Sequence, residues 1–281
     1  MMRALLSARL PRVAGAAALA LSALAASATT PHAALPVNPY QSPGIAPPGS
    51  NDFACRPSAA HPYPVVLVHG TFEDMTMSWN LIAPALEQQG YCVFALDYGH
   101  RATDPVEQAA HELSAFVDRV LAATHSARVL IVGHSQGGMM PRYYMRFLGG
   151  VGRVEGLVGL VPSNHGTTNP GAPITGDAGC ASCVEQEWQS PFITRLNAGF
   201  ETYPQVNYTV ITTVHDEVVT PYTSALLSGR SVTNVVLQTL CPEDPSEHVG
   251  IQYDGTALQW VENALARNGR ADPGFQPTCL P

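Results

Sequence analysis

Residues Gly133-His134-Ser135-Gln136-Gly137 set a serine between two glycines, directly after the apolar run Arg128 to Val132. A serine hydroxyl is a weak nucleophile at neutral pH. It needs an imidazole to take its proton and a carboxylate to fix that imidazole's tautomer. The five-residue pattern is too common to carry an argument, but its setting is specific. The preceding run reads as a short buried strand, and Met139 to Leu148 reads as a helix. Strand, sharp glycine-flanked turn and helix make the elbow that pushes a serine hydroxyl out of a sheet. The helix N-terminus then brings amide donors close to the reacting oxygen. The chemistry predicted is acyl transfer with Ser135 as nucleophile.

In this arrangement the acid and then the histidine follow the serine along the chain. Three histidines lie downstream: His165, His215 and His248. His165 precedes any acid that could serve in that order. His215 abuts Asp216, and neighbours in an extended chain point apart. His248, in the polar loop 243–250, is the expected general base. Asp216 directly follows the apolar run 207–214, at the carboxyl edge where open α/β sheets collect their catalytic groups, and is the expected acid. Glu217 competes with it, and Asp244 less directly. The developing oxyanion needs two donors. The backbone amides of Gln136 and Thr71 are expected to supply them, with Phe72 as the alternative to Thr71.

Elements able to hold these groups alternate along the chain. Pro64 to Val68 reads as a strand entering the loop His69-Gly70-Thr71, and a helix from about 80 to 89 stops at Gly90 before the strand 91–96. Val106, Ala109, Ala110, Leu113, Phe116, Val117, Val120 and Leu121 recur at three-and-four spacing, which predicts a helix with Asp104 as N-cap and Pro105 in its first position. Further strands are expected at 154–161, 207–214 and 234–240, and a closing helix at 256–267. Strands apolar throughout, alternating with helices, predict a mostly parallel sheet covered on both faces, the α/β class. Segment 163–190, rich in Gly and Pro, interrupts that alternation and reads as a lid or a surface loop.

Arg3, Arg9 and Arg12 precede an apolar stretch of about fourteen residues ending in Ala26-Ser27-Ala28, which reads as a signal peptide. Cleavage is expected after 28 or as late as 33. The stretch is shorter than the roughly 20 residues that span a bilayer, so a secreted chain without a transmembrane segment is expected. An extended arm, 34–64, then leads into one catalytic domain, 65–281. The formal net charge is −8, which argues against nucleic-acid binding. There is no lysine, which rules out Schiff-base, P-loop and Ser-Lys chemistry. Six cysteines in an exported chain predict three disulfides. Chain order suggests Cys55 with Cys92, Cys180 with Cys183, and Cys241 with Cys279.

With Val68-His69-Gly70-Thr71, Gly133-His134-Ser135-Gln136-Gly137-Gly138, Asp216 to Pro221 and Glu247-His248 in this order, the chain resembles the secreted bacterial lipases grouped as lipase class 2. The arm Asn51 to Pro57 is similar to actinobacterial members. The resemblance implies an α/β-hydrolase fold, hydrolysis of carboxylic esters or triacylglycerols, and a triad of Ser135, His248 and Asp216. Some related lipases bind calcium, but no dense carboxylate loop matches such a site here, so no metal and no cofactor are expected. Esterase, lipase and polyester hydrolase all fit. So do an extracellular acyltransferase with the same triad and a non-catalytic binding protein on this scaffold.

Overall fold

The computed structural model describes residues 44–169 and 179–280. The expected leader, the first part of the arm and the middle of segment 163–190 lie outside the described residues. Six strands, β1 (Val65–Val68), β2 (Val93–Leu96), β3 (Val129–His134), β4 (Val154–Leu160), β5 (Asn207–Thr212) and β6 (Val232–Val236), form one sheet in the order β2-β1-β3-β4-β5-β6. Every pairing is parallel.

β1 and β2 are apolar and buried throughout because both faces of the sheet are covered there. Val66 and Val68 pack with Phe94, Ile131 and the helices Val106–Thr124 and Gln136–Phe147. Val65 and Leu67, their alternates, pack with Leu130, Val132, Trp79, Leu86 and the helix Gly255–Leu265. All eight apolar positions expected to face inward on the helix 106–124 are buried. The fold is thus α/β, of the α/β-hydrolase type.

The described part of the arm covers the sheet edge. Asn51 takes the place of a strand residue: its N–H donates to the Val93 carbonyl at 2.9 Å, its Nδ2 donates to the Ala95 carbonyl at 2.9 Å, and its Oδ1 accepts from the Ala95 N–H at 2.8 Å. An exposed edge would otherwise offer unpaired amides and carbonyls to other chains. Phe53 follows, its ring 5.0 Å from that of Phe94, and the Cys55–Cys92 disulfide pins the segment. Cys180 bridges Cys183 and Cys241 bridges Cys279. Among the described residues no helix is long and apolar enough to cross a membrane.

Beyond shifts of two or three residues at element ends and an unexpected short helix, Pro191–Asn197, three elements differ from the expectation. The helix expected over 80–89 is two short helices, Met75–Trp79 and Ile82–Gln88; the first starts early because Asp74 caps it, Oδ1 accepting from the Met77 N–H at 2.8 Å. The long helix begins at Val106 with Pro105 as its N-cap, and Asp104 does not cap it; the Val106 N–H donates to Glu185 Oε2 at 2.6 Å, from a segment remote in sequence. The strand expected over 234–240 stops at Val236, opposite Thr212, the last residue of β5, its one neighbour among the described residues. With no strand left to pair, Leu237–Leu240 closes into a helical turn.

β1 connects to β2 on one side, and the chain then crosses back over β1 to β3 on the other. The gap between β1 and β3 is therefore the switch point of the winding, where crevices form beyond the carboxyl ends of the strands. The loop carrying Thr71 and the turn carrying Ser135 both leave the sheet there, since Val68 pairs with Gly133.

Candidate active site

Ser135 stands alone between the last residue of β3 and the first of the helix Gln136–Phe147. Its φ of 52° and ψ of −121° are strained for a residue with a side chain, at a cost of about 1–3 kcal/mol. Two amides hold the turn: the Ser135 N–H donates to the Leu160 carbonyl at 2.9 Å, and the Gly138 N–H to the Ser135 carbonyl at 3.0 Å. The flanking glycines are required by close approach. A Cβ at Gly133 would overlap the Gly137 carbonyl, and one at Gly137 would overlap the backbone of Val68 and His69.

Ser135 and His248 border one cavity of about 290 Å3, whose apolar walls include Phe72, Met77, Val218, Val219 and Val249. Asp216 is buried beside it in the loop after β5. Its Oδ1 accepts from the N–H groups of Val218 at 2.9 Å and Val219 at 2.8 Å, and lies 2.9 Å from His248 Nδ1. A carboxylate at Nδ1 places the ring proton there, which leaves the Nε2 lone pair free to act as a base.

The competing residues lie elsewhere. The Glu217 carboxylate sits 3.5 Å from the His248 backbone nitrogen, away from the imidazole. Asp244 turns its own loop, accepting from the Ser246 N–H at 3.0 Å. His165 is held between the Ser224 carbonyl and Glu201, and the Glu201 carboxyl is drawn down to about 2, first by its hydrogen bond from His165. His215 is exposed.

Among the described residues, the Thr71 and Gln136 amides have no acceptor within the protein. The Phe72 amide is engaged, donating to the Arg101 carbonyl at 2.7 Å, and the Arg101 Nε donates back to the Phe72 carbonyl at 2.9 Å. Thr71 and Gln136 are also tied together. Thr71 Oγ1 donates to Gln136 Oε1 at 2.7 Å, and Gln186 Nε2 reaches both, at 3.1 and 3.0 Å. Ser163 Oγ in turn donates to Gln186 Oε1 at 2.7 Å. Gln186 follows the short helix Ala181–Glu185, which the Cys180–Cys183 bridge closes. Gln186 carries no sequence signal, because it lies in a stretch without periodicity and its partners are distant in the chain.

Glu73 and His134 were also missed as a pair. Both are buried at the edge of the cavity, His134 Nδ1 lying 2.9 Å from Glu73 Oε2. Burial opposes charge on both, but the opposite charge and shared hydrogen bond prevail: Glu73 is held below the usual carboxylate range and His134 is raised. Among the described residues no cluster of three or more His, Cys, Asp or Glu side chains is arranged to hold a metal ion.

Residues 62–261 match the family Lipase (class 2). A triacylglycerol lipase of Pseudarthrobacter phenanthrenivorans is 26% identical over 234 residues, covering 76% of this chain and 70% of the relative. A triacylglycerol lipase of Burkholderia plantarii is also 26% identical over 234 residues, covering 76% of this chain but 63% of the relative. Among solved structures, Aspergillus fumigatus lipase B superposes with a TM-score of 0.69 at 23% identity, over 81% of this chain and 57% of that one. The chain thus spans less than two thirds of the length of two of these three proteins. The family match runs from just before β1 into the helix Gly255–Leu265 and so takes in the whole sheet and every loop at the cavity. This chain belongs to the class 2 lipases, carboxylic-ester hydrolases of the α/β-hydrolase superfamily.

Proposed function

We propose that the chain is an exported hydrolase that cleaves carboxylic esters through an acyl-enzyme on Ser135, with triacylglycerols as its substrate class. The observation that carries this is the buried contact of 2.9 Å between His248 Nδ1 and Asp216 Oδ1, at the cavity that holds Ser135 on its strained turn. Ser135 Oγ attacks the ester carbonyl carbon as His248 Nε2 takes its proton. The carbonyl oxygen gains the negative charge and is held by the amides of Thr71 and Gln136. Collapse expels the alcohol, which leaves with the proton from His248. Water then repeats the cycle on the acyl-enzyme, releasing the acid and restoring Ser135. Asp216 keeps the imidazole in one tautomer and stabilises the imidazolium that forms twice per turnover.

The apolar walls favour an aliphatic acyl group. Phe72 and Val249 on those walls, and Trp188 beyond them, are also substantially exposed to solvent, which suits a substrate met at an apolar surface. Ser163 and Thr167 on one described flank of segment 163–190, and Cys183 and Gln186 on the other, form part of the cavity wall. Export is supported by the three disulfides, which persist in oxidising compartments, together with the leader-like residues 1–28.

A graded series of p-nitrophenyl esters and emulsified triacylglycerols, given to wild type and Ser135→Ala, tests the proposal. Wild type is expected to cleave both classes and Ser135→Ala neither. A wild type inert on every ester, or an alanine variant with full activity, refutes it.

A further inference from the structure

His134 has an acceptor at each ring nitrogen: Glu73 Oε2 at 2.9 Å from Nδ1, and the main-chain carbonyl of His248 at 2.8 Å from Nε2. A neutral imidazole carries a single N–H, so beside an ionised Glu73 both contacts require the doubly protonated ring. The alternative, a protonated Glu73 beside a neutral imidazole, would put the acid proton on an oxygen already crowded by two other donors. Glu73 Oε2 already accepts from the Gly70 N–H at 2.8 Å and the Ser78 hydroxyl at 2.9 Å, and Oε1 from Gln252 Nε2 at 2.7 Å. The pair is ionic, and its charges are fully hydrogen-bonded.

The four donors to Glu73 come from four places in the fold. Gly70 is in the loop that carries Thr71, Ser78 is on the helix Met75–Trp79, and His134 ends β3 beside Ser135. Gln252 is in the turn Gly250–Tyr253, which follows His248. The loop of the expected base is therefore tied to the serine turn twice, directly at the main-chain carbonyl of residue 248 and indirectly through the Gln252 side chain, which reaches His134 by way of Glu73. Asp216 holds the His248 ring at Nδ1 alone. A ring fixed at one atom and free at its backbone would swing about that contact.

We propose that His134, charged against Glu73, is a positioning residue for His248: it clamps the main chain at residue 248 to the serine turn so that the imidazole meets Ser135 in one orientation. This rests on the assignment of Ser135, His248 and Asp216 given above. It assigns a specific task to the residue before the serine, where a merely structural role asks only that the Glu73 charge be met.

Two amide variants separate those roles, because each replaces one ring nitrogen. In His134→Gln the side-chain NH2 falls near the position of Nε2 and keeps the donor toward the His248 carbonyl. In His134→Asn it falls near Nδ1 and keeps the donor toward Glu73 alone. Both remove the cation, so the loss of charge is common to the pair and cancels in the comparison. kcat and KM on a short p-nitrophenyl ester are measured for both. Each is normalised to the number of serines labelled by a fluorophosphonate carried to completion, which discounts unfolded protein.

The expected result is a kcat per labelled site within about threefold of wild type for His134→Gln and lower by about 10- to 100-fold for His134→Asn, with KM shared. Equal kcat in the two variants, or the reverse order, overturns the proposal. Should neither variant fold, Gln252→Leu cuts the second tie while leaving the charged pair in place. A severalfold fall in kcat at constant KM is expected from it, and an unchanged kcat overturns the proposal. Failure of the underlying assignment looks different: wild type would then resist the fluorophosphonate, or Ser135→Ala would still hydrolyse the ester.

Discussion

Replacing Gln186 by alanine removes a side chain with no catalytic chemistry of its own, yet Thr71 and Gln136, the proposed oxyanion donors, are tied together through it. The amide is buried and has four polar partners: Nε2 shares its two protons among Thr71 Oγ1, Gln136 Oε1 and the Ser182 carbonyl, and Oε1 accepts from the Ser163 hydroxyl. At about 1 kcal/mol net for each bond, somewhat less where Thr71 and Gln136 retain each other, the stability cost is about 2–4 kcal/mol. For a domain of this size that lowers Tm by on the order of 10 °C. Deleting one oxyanion donor outright costs about 10²- to 10³-fold in kcat. Here both donors remain and lose only their common tie, so kcat is expected to fall about tenfold while KM holds. Gln186→Glu should be worse than alanine although it preserves size. It sets a negative charge against Gln136 Oε1 and close to the amides that must accept an anion. The assay is steady-state hydrolysis of a soluble p-nitrophenyl ester below the Tm of each variant. A wild-type kcat in Gln186→Ala, or a glutamate variant more active than the alanine one, refutes the reasoning.

Asp216→Asn should lower kcat by about 10³- to 10⁴-fold through the wrong imidazole tautomer, whereas Glu217→Gln and Asp244→Asn should stay within a few-fold; steady-state kinetics on one ester ranks all three. Removal of the long bridges, Cys55–Cys92 and Cys241–Cys279, which close loops of 37 and 38 residues, should each cost about 4 kcal/mol. The Cys180–Cys183 bridge spans only 3 residues and should cost less than half of that, yet depress activity more, since Cys183 lines the cavity; denaturant melts alongside activity separate the two effects. A carboxylate held below its ordinary 4.5 stabilises the fold above that pH and loses its contribution as pH falls. An imidazole raised above 6.5 stabilises below that pH and loses its contribution as pH rises. The advantage of wild type over Glu73→Gln in Tm should therefore peak between pH 4.5 and 6.5 and shrink on either side.

What the sequence disclosed and what it hid divide by distance along the chain. The turn at Ser135 is legible because strand, turn and helix are contiguous and the two glycines mark a close approach that nothing larger fits. Asp216 ranks first among the acids because the end of an apolar run marks the carboxyl edge of the sheet, and His248 ranks first among the three downstream histidines by chain order; the contact of 2.9 Å between them joins residues 32 apart. The cap of the long helix was misread because its true partner, Glu185, is 79 residues away, and local rules favoured the neighbouring Asp104. The strand after 232 was extended too far because its apolar run continues, while its length is set by where β5 ends. Gln186 and Glu73 had no local signature at all. A buried glutamine bridging residues 50 and 115 positions away leaves no period in the sequence, only the bare fact of its type.

Those two hidden residues raise a question of coupling. The groups expected to react sit on four different connections, and loops do not align one another as paired strands do. Two polar networks supply the alignment. One runs through Thr71, Gln136, Gln186 and Ser163, and the other through Gly70, Glu73, Ser78, His134 and Gln252. They share no side chain, but Gly70 and Thr71 are neighbours in one loop, so a backbone shift can pass between them. If the networks act separately, the effects of Gln186→Ala and Gln252→Leu on the activation barrier should sum in the double variant to within about 0.5 kcal/mol. The expectation is additivity, because the Gly70 N–H still reaches Glu73 Oε2 in either single variant and holds the loop. A coupling above about 1 kcal/mol from steady-state kinetics on all four proteins would show that the loop at 70–73 moves as a hinge between the networks. The oxyanion donors and the histidine clamp would then be one device.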